Sequence, residues 1–122
     1  MKIKTAELTG AALDWAVAKA KQPVYSDTSL IEAGRGGYDG IGNFHEPFTP
    51  STDWEQGGPI IERERITLDY FPDGGEWLAQ VWDNNGNPIV EEQGPTPLIA
   101  AMRCYVANKI GDEVAIPEEL LK

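Results

Sequence analysis

Apolar and polar residues repeat along this chain with two different periods. Between Leu8 and Ala20 the apolar positions recur every three or four residues. Leu8, Ala12, Trp15 and Ala16 fall on one helical face, and Leu13, Val17 and Ala20 widen it. Thr9 stands where an N-cap belongs, Lys19 and Lys21 suit the negative end of the helix, and Pro23 ends it. From Ile66 the period falls to two. Ile66, Leu68 and Tyr70 alternate with Thr67 and Asp69, and Trp77, Ala79 and Val81 alternate with Leu78, Gln80 and Trp82. Pro72-Asp73-Gly74-Gly75 separates the two runs, and Asp83-Asn84-Asn85-Gly86-Asn87 follows them; both are turn chemistry. A short third strand over residues 88–91 completes an antiparallel meander. A last helix opens with Thr96 as cap and Pro97 at its first position. Leu98, Met102, Tyr105, Val106 and Ile110 form its apolar face, and Gly111 stops it.

The remaining segments are less regular. Residues 1–4 suit a short edge strand. Residues 23–50 read as a long irregular stretch, with Gly34, Gly36, Gly37, Gly40 and Gly42 among Tyr38, Phe44, His45 and Phe48. So many rings predict that it packs on something. In Ser51-Thr52-Asp53-Trp54-Glu55 the spacing of Thr52 and Glu55 is that of a capping box. Gly57-Gly58 interrupts it and Pro59 reopens it, which predicts a turn over 51–56 and a separate helix over 59–65. Residues 117–121 suit a final turn. The class is α+β: one domain over residues 1–122, with an antiparallel sheet of three or four strands covered by helices in an α-β-α sandwich-like arrangement.

Composition sharpens this picture. The chain has 122 residues, 41% of them apolar and 25% charged, which fits one globular core. Twenty acidic residues against ten basic ones give a formal charge of −10, which disfavours nucleic acid as a partner. Asp73, Glu76, Asp83, Glu91 and Glu92 occupy residues 73–92 without a base. They form either a solvated face or a surface that meets a basic partner. No run suits a membrane span and no apolar stretch follows Lys4, so the expected compartment is the cytoplasm. Cys104 and His45 are the only residues of their kinds, so no disulfide, metal site or cofactor is expected.

Three segments carry a resemblance. Leu8-Thr9-Gly10-Ala11-Ala12-Leu13-Asp14-Trp15-Ala16-Val17-Ala18 resembles the opening of the phage NinX family. Ser51 to Glu62, reading STDWEQGGPIIE, is similar to its central motif, and Thr96 to Ala107, reading TPLIAAMRCYVA, to its closing helix. The pattern also resembles the phage ABA-sandwich domain. The resemblance spans nearly the whole chain. It implies an accessory phage or prophage protein in the host bacterial cytoplasm. It implies no activity, and so no catalytic residue.

The chemistry is read residue by residue. His45 beside Glu46, or the carboxylates of Asp53 and Glu55 or of Glu62 and Glu64, offers acid–base groups for a hydrolase. Glu62 and Glu64 lie two apart, off a common helix face, and Glu55 is explained by capping. The glycines of residues 34–40 lack the GK[ST] ending of a phosphate loop, but suit a flexible flap in which Arg35 meets an anion. Trp77 and Trp82 have opposite strand parity, so rings belong on both sheet faces, as a two-sided core or as the wall of a cleft. Arg63, Arg65 and Arg103 either neutralise acids or clamp an anion. The leading reading is a non-catalytic accessory protein that binds a small, nucleotide-derived ligand. By analogy with other small phage proteins, it would sequester a host immune signal. Its candidate ligand-binding residues are Tyr38, Phe44, His45, Ser51, Thr52, Asp53, Trp54, Arg63 and Arg103. So small a chain has little interior to hollow out, which favours a homo-oligomer with the site at a subunit boundary. The alternatives are an acidic module, residues 73–92 together with Asp112, Glu113, Glu118 and Glu119, that inhibits a basic host protein, and the hydrolase.

Overall fold

A computed structural model describes residues 1–121. In chain order its elements are β1 (Lys2–Lys4), a 3-10 turn (Thr5–Glu7), α1 (Gly10–Lys21) and α2 (Asp27–Arg35). Then come β2 (Gly37–Tyr38), β3 (Phe44–His45), α3 (Trp54–Glu64), β4 (Thr67–Phe71), β5 (Glu76–Trp82) and β6 (Pro88–Gly94). Helix α4 (Pro97–Lys109), β7 (Glu113–Ala115) and a 3-10 turn (Glu118–Leu120) complete the chain.

Helix α4 is apolar nearly all round, so it is enclosed on nearly all sides. Ala100, Ala101, Met102, Cys104 and Val106 have no exposed surface. The sheet packs on one side of it and α1 on another. Leu98, Met102, Tyr105 and Val106 are buried as the periodicity requires. Ile110 is not: it is the C-cap, beyond the last helical turn, and stands exposed. Thr96 caps the helix as expected, its hydroxyl accepting the Ile99 amide at 3.1 Å. In α1, Leu13, Ala16 and Val17 are fully buried. Thr9 precedes that helix but makes no side-chain cap; the chain turns in through Gly10 at φ +56° instead.

The meander forms as expected, in the order β4-β5-β6 and antiparallel throughout. Its third strand runs to Gly94, three residues longer than the alternation indicated. Gly94 lets β6 touch α4: a Cβ there would lie 2.7 Å from the Ala100 nitrogen. Register puts Leu68, Ala79 and Glu92 in one row and Val81 beside Val90. That face, which also carries Trp77, packs on α4. The opposite face presents Thr67, Asp69, Phe71, Trp82, Glu91 and Gln93, all exposed. Trp77 and Trp82 thus point to opposite faces, but only the inner ring belongs to the core. The fold is α+β with a helix-covered antiparallel sheet, and its helical cover is gathered on the inner face.

Strand β1 is present and pairs with β7, which the sequence did not signal; Ile3 lies opposite Val114. The stretch expected to be irregular holds α2 and the β2–β3 hairpin. Ser26 caps α2 by accepting the Ser29 amide at 3.1 Å. Leu30 and Ile31 are its buried residues. The helix ends at Gly36, φ +64°, where a Cβ would lie 2.5 Å from the Pro47 nitrogen. The returning chain therefore crosses directly against it.

Helix α3 is continuous, where two pieces were expected. Its cap is Asp53 and not Thr52: the Asp53 carboxylate accepts the Glu55 amide at 2.9 Å. Pro59 removes one bond to the Glu55 carbonyl, a cost taken in the exposed first turns. Gly57 is an asset for packing. A Cβ there would lie 2.5 Å from the Pro50 carbonyl oxygen and 2.6 Å from Leu98 Cδ2. The helix ends on Arg65 in the left-handed conformation, φ 55°.

Candidate functional site

The structure distributes the nine candidate residues over four places. Tyr38, Phe44 and His45 come together on the β2–β3 hairpin. Asp39 organises the turn between the strands: one carboxylate oxygen accepts the Ile41 and Asn43 amides, each at 2.9 Å. Its other oxygen lies 3.0 Å from His45 Nε2. The His45 bond, followed by the two amides, holds the Asp39 carboxyl at a pKa of about 2. The rings of Tyr38 and Phe44 meet edge to face at 5.3 Å, and both are exposed. Between the hairpin and α2 lies a cleft of about 600 Å³, within the range of small-molecule sites. Tyr38, Asp39, His45 and Glu46 line one part of it, and Glu32 and Arg35 line another. Arg35 also reaches Glu119 at 3.3 Å.

Ser51, Thr52 and Trp54 line a smaller recess of about 240 Å³, where the N-termini of α3 and α4 approach each other. Asp53 belongs to the same turn. The amides that open these two helices are largely taken. Asp53 holds that of Glu55 and Thr96 that of Ile99, while the Ser51 amide donates to Asp14 at 2.9 Å. With the carboxylates of Asp53 and Glu55 beside it, this corner repels an anion.

Arg63 lies at the end of α3, with Lys21 and Lys109 around Tyr105. Its Nε bonds Glu64 at 3.0 Å, and Lys109 reaches the same carboxylate at 3.1 Å. Burial pushes the Glu64 pKa up, but the bonds from Arg63 and Lys109 outweigh it and leave it lowered. This basic corner was only partly legible, because Lys21 and Lys109 come from distant helices. Arg103 is buried in α4. Its Nε donates to the Leu8 carbonyl at 2.9 Å and its Nη1 to the Gln93 carbonyl at 2.8 Å. Both donors are thus engaged in holding α4, the entry to α1 and β6 together.

The hairpin cleft is accordingly the candidate site, since it brings Tyr38 and His45 to the border of a ligand-sized space. Sequence reading missed Glu32 and Asp39, while Arg35 was expected only as a residue of a flap. A signal for Asp39 exists. Asp39-Gly40-Ile41-Gly42-Asn43 repeats the D-x-x-G-N pattern of Asp83-Asn84-Asn85-Gly86-Asn87. Asp83 likewise accepts two amides, from Asn85 at 2.8 Å and Asn87 at 2.9 Å.

Cys104 has no exposed surface, and burial first, then Glu92 and Glu91, pushes its pKa up to about 12. Among the described residues, no group of His, Cys, Asp and Glu side chains is placed to hold a metal ion. Nor is any helix among them long and apolar enough to cross a membrane. No curated protein matches the chain. The model of one family, described as bacteriophage P22 NinX, matches residues 4–109. With its three motif segments inside that match, the chain belongs to the phage NinX family.

Proposed function

We propose that this is a non-catalytic phage accessory protein that binds a small nucleotide-derived ligand in the hairpin cleft and withholds it from the host. The observation that supports this most is the cleft itself, where the Tyr38 ring and the His45–Asp39 pair border about 600 Å³. An exposed ring at the mouth suits stacking on a planar base. The charges select which part of the ligand enters. Glu32, Asp39 and Glu46 face Arg35, which is shared with Glu119. A chain of phosphates would meet more carboxylates than cations. Carboxylates accept from ribose hydroxyls, so the cleft suits the nucleoside end, with a phosphate tolerated only near Arg35.

Binding without turnover agrees with the local chemistry. His45 is paired with Asp39, and the Ser29 hydroxyl that lines the cleft accepts instead from Ser26 Oγ at 2.9 Å. Among the described residues of the cleft, no nucleophile–base pair is formed. Tyr38 lies open at the rim with the exposed Phe44 ring against it, where a second protomer would complete the wall; the oligomer belongs to the same proposal.

The test incubates the purified protein with adenosine, ADP-ribose and a cyclic dinucleotide, and follows its melting temperature. At least one is expected to raise it, to be recovered intact after heat denaturation, and to bind about tenfold more weakly to Tyr38→Ala. No shift with any of them overturns the reading. Recovery of a hydrolysed product favours the hydrolase instead.

A further inference from the structure

The outer face of the β4-β5-β6 sheet leaves Thr67, Asp69, Phe71, Trp82, Glu91 and Gln93 exposed. Register sets its rows: Phe71 beside Glu76, Asp69 beside Leu78 and Gln93, Thr67 beside Gln80 and Glu91, and Trp82 beside Pro88. Two rings thus stand at opposite ends of the face, with carboxylates between them. Trp82 is held in place, its Nε1 donating to Thr67 Oγ1 at 2.8 Å. Glu91 is held by Gln80 Nε2, also at 2.8 Å. Both groups are therefore ordered before any partner arrives, which lowers the entropy cost of binding.

The charge is one-sided. From Ile66 to Met102 the chain carries Asp69, Asp73, Glu76, Asp83, Glu91 and Glu92 without one Lys, Arg or His. A recess of about 360 Å³ opens where Glu76, Leu78, Glu91 and Gln93 meet Glu92 and Arg103 at the β6 edge. Glu76 Oε2 is enclosed, with no hydrogen-bond partner among the described residues. Among the described residues Arg103 is the one cation in the recess; its charge acts on Glu76 and Glu92 from a distance, while its Nε and Nη1 are committed to the Leu8 and Gln93 carbonyls. A shielded carboxylate oxygen without a donor is costly to bury, and an ammonium or guanidinium group relieves that cost.

We propose that this face docks a Lys- or Arg-bearing surface of another protein. One basic side chain enters the recess toward Glu76 and Glu91. Trp82 and Phe71 cover neighbouring aliphatic stems or stack on a second cation. A second copy of this chain is the wrong occupant, because Asp69, Glu76 and Glu91 would face their own images. Nucleic acid and anionic lipid carry the same sign as the face. The proposal does not rest on the hairpin cleft.

The probe is a ten-residue peptide of alternating lysine and leucine; its control alternates glutamate and leucine. Backbone amide shifts are expected to concentrate at residues 67–71, 76–82 and 88–93, with affinity falling as salt rises. Trp82→Ala and Glu76→Gln should each weaken binding about tenfold, the scale of one lost anchor. Glu76→Gln keeps the shape of the side chain, so it serves even if Trp82→Ala unfolds. Glu113→Gln, at the far C-terminal acids, should leave the affinity unchanged. The proposal fails if the shifts centre on Asp112, Glu113, Glu118 and Glu119, or if the control peptide binds equally. It also fails if the free protein dimerises through Trp82.

Discussion

Asp14 accepts the Ser51 backbone amide at 2.9 Å, and through this one bond α1 fixes the loop that opens α3. Both residues are buried. Burial raises the Asp14 pKa above its ordinary 3.8, and the bond from Ser51 pulls it only part of the way back. A carboxyl that is easier to protonate in the folded chain stabilises the fold below pH 3.8. That contribution is lost as pH rises through the raised folded value. Asp14→Asn keeps an acceptor for Ser51 and removes the dry charge, so it should match or exceed the parent at pH 7 and flatten the acid limb of the stability curve. Asp14→Ala orphans the amide and should cost about 1–3 kcal/mol. Urea melts at several pH values check both; equal losses in the two variants would contradict this account.

The His45–Asp39 pair predicts the opposite slope. Asp39 titrates at about 2 in the folded chain, below its ordinary 3.8, chiefly because His45 bonds it. The folded state therefore gains from this group above pH 3.8 and loses that gain as pH falls toward 2. In His45→Ala the Asp39 midpoint should move up toward 3.8, held partway by the Asn43 and Ile41 amides. Carboxyl-carbon NMR titration reads it directly; an unmoved midpoint means that the amides alone set the value.

The parts of the fold that were legible are those where one residue decides. Asn85-Gly86 specified a turn, Thr96-Pro97 a helix start, and the alternation from Ile66 to Trp82 a pair of strands. Helix α2 was hidden because only Leu30 and Ile31 of its nine residues are buried, too few to show a period. Strand β7 was hidden for the same reason, having only Val114 buried. The errors at Thr9 and Thr52 share a cause. Spacing marks which side chains sit near free amides, but backbone direction decides which one reaches them. The site was least legible. His45, Tyr38 and Phe44 are neighbours in sequence, whereas Arg63 and Arg103 were grouped with them only as scarce cations. Tertiary packing sends those two to separate corners.

Arg103 is a structural tie, and its variants should say so. The guanidinium spans two carbonyls, Leu8 and Gln93, which belong to different elements. A lysine ammonium is a point donor and cannot reproduce that fork. Arg103→Lys and Arg103→Met should both destabilise by about 2–4 kcal/mol, the scale of two charge-assisted bonds. Arg103→Met should leave affinity for any ligand of the hairpin cleft unchanged once the protein is folded. A loss of ligand affinity at full stability would return Arg103 to the site.

Cys104 should be chemically silent in the folded protein. Only the thiolate attacks, and a pKa of about 12 leaves almost none at pH 8. Its side chain is also enclosed between α4 and β6, with the sulfur 3.9 Å from the Val90 carbonyl. A thiol-specific chromogenic reagent should react at the rate of unfolding in buffer, and at once in denaturant. Prompt reaction under native conditions would mean that α4 separates from the sheet.

Gly57 and Gly58 are neighbours in α3 and should respond oppositely to alanine. Alanine favours a helix interior over glycine by about 1 kcal/mol, so propensity alone predicts a gain at both. At Gly58 no atom lies within 4 Å of the added carbon, and the gain should appear in full. At Gly57 the new carbon meets the Pro50 carbonyl oxygen at 2.5 Å and Leu98 Cδ2 at 2.6 Å. Leu98 has another rotamer; the Pro50 backbone, fixed by the Ser51–Asp14 bond, does not yield as easily. Overpacking of this kind costs about 1–3 kcal/mol, enough to cancel the propensity gain and reverse its sign. Gly57→Ala should therefore melt below the parent and Gly58→Ala above it. If both melt higher, α3 sits farther from Pro50 and α4 than this packing requires, and the recess between the two helix starts is looser than drawn.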